Sequence, residues 1–239
     1  MAAAVCAAPY ALSAGEHGPP MRIGLTAVIL ADQAAFLARW SAYLANGLGG
    51  QVVFVVRDSY QAILDLLFTG QLDCAWICGF PYVRYQAQMR LLAVPLYGGQ
   101  PVYQAYLIRA KGSDVKLRGW SDLRDKVFAY SDPLSNSGWL VAQGQLALAG
   151  LSGRDFKRSF FAHGHRNVAE AVAAQLANAG SIDGYVWETM RLQGMSAVDK
   201  TEVLWKSQPH GFPPLVAMNG AGHLKLDRLQ QMLLAMPKD

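Results

Sequence analysis

From Met21 to its end the chain alternates short β-branched or apolar runs with runs of helical spacing. That alternation restricts it to sheets of mostly parallel strands covered by helices, an α/β fold. MRIGLTAVIL reads as a strand and its exit loop, and Gln33 to Leu48 carries Phe36, Leu37, Trp40 and Leu44 at helical intervals. QVVFVV is a dense strand, Ser59 caps the helix SYQAILDLLFTGQ, and Gly70 stands just past its end. DCAWIC is a buried strand, GFPYVRYQAQ a turn and short helix with Pro81 in its first turn, and LLAVPLY and VYQAYLIRA are strands. A second block repeats the pattern: SDLRDK a short helix, VFAYSD a strand, Gly138 to Ala149 a helix stopped by Gly150, SFFAHG a strand, and Asn167 to Asn178 a helix. SIDGYVW then reads as a strand, ETMRLQG as a helix, EVLWKSQ and PPLVAMN as strands, and HLKLDRLQQMLLAM as the last helix. Two blocks joined near Tyr97–Tyr103 predict two lobes. The chain is expected to cross back within Gln193–Lys206, giving one lobe of residues 21–99 plus 195–239 and another of 100–194.

Composition narrows the class. Of 239 residues, 52% are hydrophobic and 16% charged, which suits a packed core and excludes a disordered chain. The net charge of +4 suits an acidic ligand, but Lys and Arg are scattered rather than gathered into a nucleic-acid tract. No stretch of 18 apolar residues offers a membrane span. The Ala-rich start, MAAAVCAAPYALSAGEHGPP, reads as an incomplete secretory signal or a disordered tail over residues 1–20, because the first Arg is Arg22 and the basic lead is missing. Three cysteines, Cys6, Cys74 and Cys78, make no disulfide framework.

In open α/β sheets, ligands gather at the carboxyl ends of strands. The loops there are Thr26–Asp32, Arg57–Tyr60, Cys78–Tyr82, Ser131–Ser137, His163–Asn167 and Trp187–Glu188. The richest is SDPLSNSGWL, Ser131 to Leu140, which sets small hydrogen-bonding groups at a helix mouth. Ser135 or Ser137 could cap the helix by accepting a backbone N–H. Alternatively the free N–H groups, the hydroxyls, the Asn136 amide and the close approach allowed by Gly138 could cradle an anion. The residues alone leave both readings open.

The remaining loops each carry one chemical group. In GFPYV, Tyr82 either packs on the surface or donates its O–H from a second helix mouth. In HGHRN, His165 is placed nearer the following helix than His163, and either donates to an oxyanion or is satisfied by backbone. No third ligand stands at a spacing that would make H-x-H a metal site. In SIDGYVWE, Glu188 ends the expected strand and would reach the cleft, with Asp183 at the far end. A carboxylate beside an anion is reasonable if the anion still carries a proton to donate, since it then repels fully ionised competitors. Cys74 and Cys78 share one face of an extended strand, Cys74 in the core and Cys78 at the cleft edge. No G-x-S-x-G, Walker-type, G-x-G-x-x-G or H-E-x-x-H motif is present, so hydrolase, nucleotide-binding and zinc-protease chemistry has no support.

Taken together, DCAWICGFPYV, SDLRDKVFAYSDPLSNSGW and AHGHRNVAEAVAAQLANAGSIDGYVWE resemble, in order and spacing, the solute-binding proteins of phosphate, phosphite and phosphonate ABC transporters. The resemblance implies a two-lobed periplasmic-binding-protein type 2 fold with a two-strand hinge and a cleft that closes on its ligand. By position it implies that Tyr82 is the cleft tyrosine, that Ser135, Asn136 and Ser137 form the anion cradle, and that His165 and Glu188 meet ligand oxygens, with Tyr60 a further aromatic. It implies an exported, periplasmic, monomeric, non-enzymatic receptor that needs no cofactor or metal. Such a receptor would hand a small phosphorus oxyanion or phosphonate to a permease. Two departures stand out: the chain ends at MPKD, earlier than the family's usual last helix, and Cys78 puts a thiol at the cleft edge. That thiol keeps open a sensory receptor for an oxyanion such as arsenite, partnered with a histidine kinase. An enzyme of cofactor biosynthesis on the same scaffold is a further alternative.

Overall fold

The computed structural model describes residues 19–26 and 34–236. The signal-like start and most of the Thr26–Asp32 loop lie outside the described residues. The first half runs β1 (Met21–Leu25), α1 (Ala34–Leu48), β2 (Val52–Val56), α2 (Tyr60–Phe68), β3 (Cys74–Trp76), α3 (Gly79–Tyr85) and β4 (Met89–Ala93). Then come β5 (Val102–Tyr103), β6 (Ala105–Ala110), β7 (Val127–Tyr130), a π-helical turn at Asn136–Leu140 that leads into α4 (Val141–Leu148), and β8 (Arg158–Phe161). The chain continues through α5 (His165–Ala173), β9 (Ala179–Asp183), α6 (Gly184–Leu192) and α7 (Ser196–Asp199). It closes with β10 (Thr201–Lys206), β11 (His210–Gly211), β12 (Leu215–Met218) and α8 (His223–Leu234).

These strands form two five-stranded sheets, ordered β2-β1-β3-β12-β4 and β10-β6-β9-β7-β8, joined by the two-stranded pair β5–β11. The last strand and helix therefore complete the first half, and β5 with β11 is the two-strand hinge. Two expectations need correction. The sheets are mixed rather than mostly parallel: β1–β2, β1–β3, β7–β8 and β7–β9 are parallel, whereas β12 and β6 each pair antiparallel with both neighbours. Both of these strands stand one short step from the hinge and cross their sheets against the general direction. The boundary at residue 195 also moves. β10 pairs with β6 in the second sheet, and α7 packs on α5 and α6, so the chain returns to the first sheet only after Lys206.

The core has three parts. Met21, Ile23, Trp40, Leu44, Leu226 and Leu229 bury one face of the first sheet under α1 and α8. Leu107, Phe128, Tyr130, Leu146 and Phe156 bury the outer face of the second sheet. Between them a single cluster runs from Ile63, Leu64, Leu67 and Ile77 through Tyr60 and Cys78 to Val168, Ile182 and Val186. The apolar packing thus passes from one half to the other at the level of Tyr60 and Cys78, where the functional loops meet.

Candidate functional site

Five helix mouths converge here. Ser59 caps α2, its hydroxyl accepting the N–H of Ala62 at 3.2 Å. Cys78 precedes α3, Ser135 caps the π turn, Gly164 precedes α5, and Asp183 caps α6. Contacts between the halves tie these ends together. The backbone N–H of Asn136 points at Cys78 Sγ at 3.2 Å, and the Asn136 amide donates to Tyr103 Oη at 3.1 Å. Among the described residues, the buried polar side chains include no Lys or Arg. Positive potential at the site therefore comes from the aligned N–H groups and helix dipoles, which favour an anion without a formal countercharge.

The serine loop divides the two roles that its sequence left open. Ser135 is the cap: its hydroxyl accepts the N–H of Gly138 at 2.9 Å. Ser137 and Ser131 are fully buried; the Ser131 hydroxyl has no protein partner, and the Ser137 hydroxyl meets the Tyr103 phenol without completing a well-formed hydrogen bond. Ser137 stands beside the Tyr103 phenol, and its backbone carbonyl accepts from Ser181 Oγ at 2.6 Å. Burying an unpaired hydroxyl costs about 1–3 kcal/mol, so two at one spot mark a place where hydrogen bonds are still to be made. Gly138 is required for a reason other than ligand approach: a Cβ there would lie 1.8 Å from Ser131 Oγ.

His165 is the first residue of α5 rather than a loop residue, turned inward by left-handed backbone at His163 (φ 55°) and Gly164 (φ 152°). Its Nδ1 accepts the backbone N–H of Asp183 at 3.1 Å. That fixes the proton of the neutral ring on Nε2, which faces Tyr60 Oη at 3.3 Å. Burial holds the imidazole neutral, pushing its pKa down to about 3. The expectation that His165 donates to an oxyanion is therefore corrected: both ring nitrogens are engaged inside the protein. The ring's donation makes Tyr60 Oη an acceptor, which leaves the Tyr60 O–H proton free to be given elsewhere.

The carboxylate reading is corrected as well. β9 ends at Asp183 and α6 begins at Gly184, so Glu188 lies one turn into a helix. Glu188 is occupied there by Arg191 at 2.8 Å and by the Tyr106 phenol at 3.3 Å. Asp183, expected at the far end, is the acid in the crevice. It is 1% exposed, its Oδ1 accepts the N–H groups of Tyr185 and Val186, and its charge is felt by Tyr60, Cys78 and Tyr103. Burial raises its pKa to about 7, against a partial lowering by the two backbone donors. A second acid, Asp132, is 3% exposed and bridges the N–H groups of Leu134 at 2.8 Å and Tyr60 at 3.2 Å.

Of the residues expected from sequence, Tyr60, Cys78, Ser135, Asn136, Ser137, Gly138 and His165 come together. Tyr82 lies on α3, half-buried, and lines an adjoining cavity with Asn136 rather than the polar crevice. Cys78 sits beyond the end of β3, so strand alternation does not reach it, and it packs in a different cluster from Cys74. Burial pushes its pKa up to about 11 and keeps it a thiol. Asp132, Tyr103, Ser131 and Asp183 were missed. The Asp-Gly step at 183–184, an N-cap signal, was the one local clue to the last of them. No group of three His, Cys, Asp or Glu among the described residues is placed to hold a metal ion.

The family described as periplasmic substrate-binding proteins of phosphonate ABC transporters matches residues 25–239. The chain belongs to this family. A relative in Mycolicibacterium smegmatis, the phosphate-import protein PhnD, is 28% identical over 236 residues, covering 92% of this chain and 73% of that one. Among solved structures, a binding-protein component of a phosphonate ABC transporter from Pseudomonas aeruginosa superposes with a TM-score of 0.79 at 21% identity, covering 89% of this chain and 73% of its own. PhnD1 of Prochlorococcus marinus, solved with methylphosphonate, also gives 0.79, at 19% identity over 90% of this chain and 84% of its own. Family members of this fold are type 2 periplasmic binding proteins, components of importers for phosphonate or phosphate.

Proposed function

We propose that this chain is an extracytoplasmic receptor that captures a small phosphorus oxyanion or phosphonate and passes it to an ABC permease without chemically changing it. The observation that carries the reading is the pair of buried hydroxyls of Ser131 and Ser137, neither completing a well-formed hydrogen bond within the protein, at a meeting point of helix mouths. The ligand's oxygens would accept from these hydroxyls and from Tyr60 O–H. Its remaining proton would go to Asp183, whose raised pKa suits sharing a proton with a phosphorus acid. Among the described residues, the two buried acids Asp132 and Asp183 and the absence of a buried Lys or Arg favour a singly charged, proton-bearing guest over a dianion.

A relative named for phosphate import and a neighbour solved with methylphosphonate make those two compounds the natural probes. Calorimetry with phosphate, phosphite, methylphosphonate and 2-aminoethylphosphonate tests the reading. Saturable binding of at least one is expected, and folded protein that gives no heat with any of them overturns it. A soft-ligand role for Cys78 gains no support, because a buried thiol at about 11 resists forming the thiolate that arsenite would need.

A further inference from the structure

A cavity of about 440 Å³ lies beside the buried polar cluster, and Asn136 belongs to both. On one side Asn136 donates to Tyr103, which stands beside Ser137. On the other it faces Phe80 and Val83 of α3, Leu91, Leu140 and Phe212. These walls come from both halves of the molecule and from the chain just past the hinge strand β11, and Phe80 stacks on Trp139 across the cleft with ring centroids 6.2 Å apart. Among the described residues no Asp, Glu, Lys or Arg lines the cavity; its polar side chains are Asn136, Tyr82 and His210, whose buried Nε2 has no hydrogen-bond partner. An ammonium group placed there would lose its hydration and meet no carboxylate, whereas an uncharged hydrocarbon would gain by leaving water. Small-ligand sites have this composition, a chamber of a few hundred Å³ lined mostly by apolar side chains with a few polar groups among them.

We infer that the ligand is a phosphonate bearing an uncharged apolar substituent, with the acid group in the crevice and the substituent in this cavity. The inference rests on the oxyanion reading of the crevice and adds to it the chemistry of the other end of the molecule. Asn136 stands between the two ends, lining the cavity while its amide donates to Tyr103. Inorganic phosphate fills only the polar end, and aminophosphonates carry a charge into the apolar end.

The test is a calorimetric series of methyl-, butyl-, phenyl- and 2-aminoethylphosphonate on the wild type, on Val83→Trp and on Leu140→Trp. Val83 is 62% exposed and Leu140 37%, so both substitutions fill the cavity from its rim without disturbing the core. Butyl- or phenylphosphonate is expected to bind roughly tenfold or more tighter than methylphosphonate, from the added hydrocarbon burial, with the aminoethyl compound weaker than either. In the two tryptophan variants that advantage falls toward one. Methylphosphonate binding with no gain for the larger groups, or a gain indifferent to both variants, overturns the inference and leaves the oxyanion reading standing. Failure of every phosphonate to bind overturns the inference, and the oxyanion reading falls with it only if phosphate and phosphite also give no heat.

Discussion

The backbone N–H of Tyr60, the first residue of α2, donates to Asp132 Oδ2 at 3.2 Å, so a carboxylate of one half sits on a helix mouth of the other. The second oxygen of Asp132 accepts from Leu134 at 2.8 Å, which makes the side chain a bridge between two loops that sequence separates widely. Charge-assisted hydrogen bonds of this kind contribute about 1.5–3 kcal/mol. Asp132→Ala is therefore expected to loosen the closed cleft and raise the ligand dissociation rate roughly ten- to a hundredfold. Asp132→Asn, whose amide oxygen can still accept, should recover much of the loss. Stopped-flow dissociation with small-angle scattering checks this, and equal behaviour of the two variants would refute the bridge.

The three buried serines should separate by phenotype. Ser135→Ala removes a cap and is expected to lower stability by about 1 kcal/mol. Ser137→Ala and Ser131→Ala remove hydroxyls that complete no well-formed hydrogen bond within the protein, so stability should hold or rise while affinity for phosphate or methylphosphonate drops about tenfold. Urea unfolding and calorimetry on the same three proteins give both readouts. A loss of stability without loss of affinity at Ser137 would assign it to structure instead.

Asp183 and His165 pull stability in opposite directions with pH. Asp183 is raised from 3.8 to about 7, so its stabilising contribution is complete below the unfolded value and is lost as pH climbs to about 7. His165 is lowered from 6.5 to about 3, so its contribution is complete above 6.5 and is lost as pH falls toward 3. Between pH 3.8 and 6.5 the two slopes, each at most about 1.4 kcal/mol per pH unit, oppose one another. The wild type should show a shallow profile there. Asp183→Asn should leave stability rising with pH in that window, and His165→Gln should leave it falling. Three parallel profiles by urea denaturation would contradict the assignment.

If the crevice holds a phosphorus acid as proposed, Asp183 is expected to set selectivity between oxyanions. Sulfate has no proton to give near neutral pH, so it meets the carboxylate as a like charge. Asp183→Asn replaces that repulsion with an amide that can donate, and the preference for phosphate over sulfate should shrink by about tenfold or more. Competition calorimetry at pH 8, above the raised pKa of Asp183, measures the ratio. An unchanged ratio in a folded variant would remove Asp183 from the ligand's surroundings.

Gly138 should tolerate no side chain. A Cβ would come within 1.8 Å of Ser131 Oγ and 2.6 Å of Ser131 Cβ, and Ser131 is fully buried. Gly138→Ala is expected to cost about 1–3 kcal/mol as an overpacked site. The double change with Ser131→Gly should restore part of it, since the clashing atoms are gone. Thermal unfolding of the single and double variants decides the matter.

What the sequence made legible was local. Ser59 as a cap, the helix ending before Gly70, and the strand at Val52–Val56 follow from spacing and turn chemistry within a few residues. The boundary between β9 and α6 did not, because SIDGYVW sets Ile, Tyr, Val and Trp on both sides of its Asp-Gly step and period alone cannot divide so short a run. That one boundary exchanged the roles of Asp183 and Glu188. The Tyr60–Asp132 and Asn136–Tyr103 contacts join residues whose spacing carries no pattern, so only the fold could bring them together. β10 was assigned to the wrong half for the same reason: a short strand does not announce which sheet edge it will pair with.

The place of β12 between β3 and β4 has a consequence for how this chain is made. Until Leu215–Met218 emerges, β3 keeps one bare edge and β4 has no partner among the described strands, although both were synthesised long before. The second sheet, by contrast, is complete once β10 is present. The early half therefore waits on the late one, its unpaired strands exposed to other chains while it waits. A break or stop codon near the end of the reading frame would strike hardest at the half that was translated first.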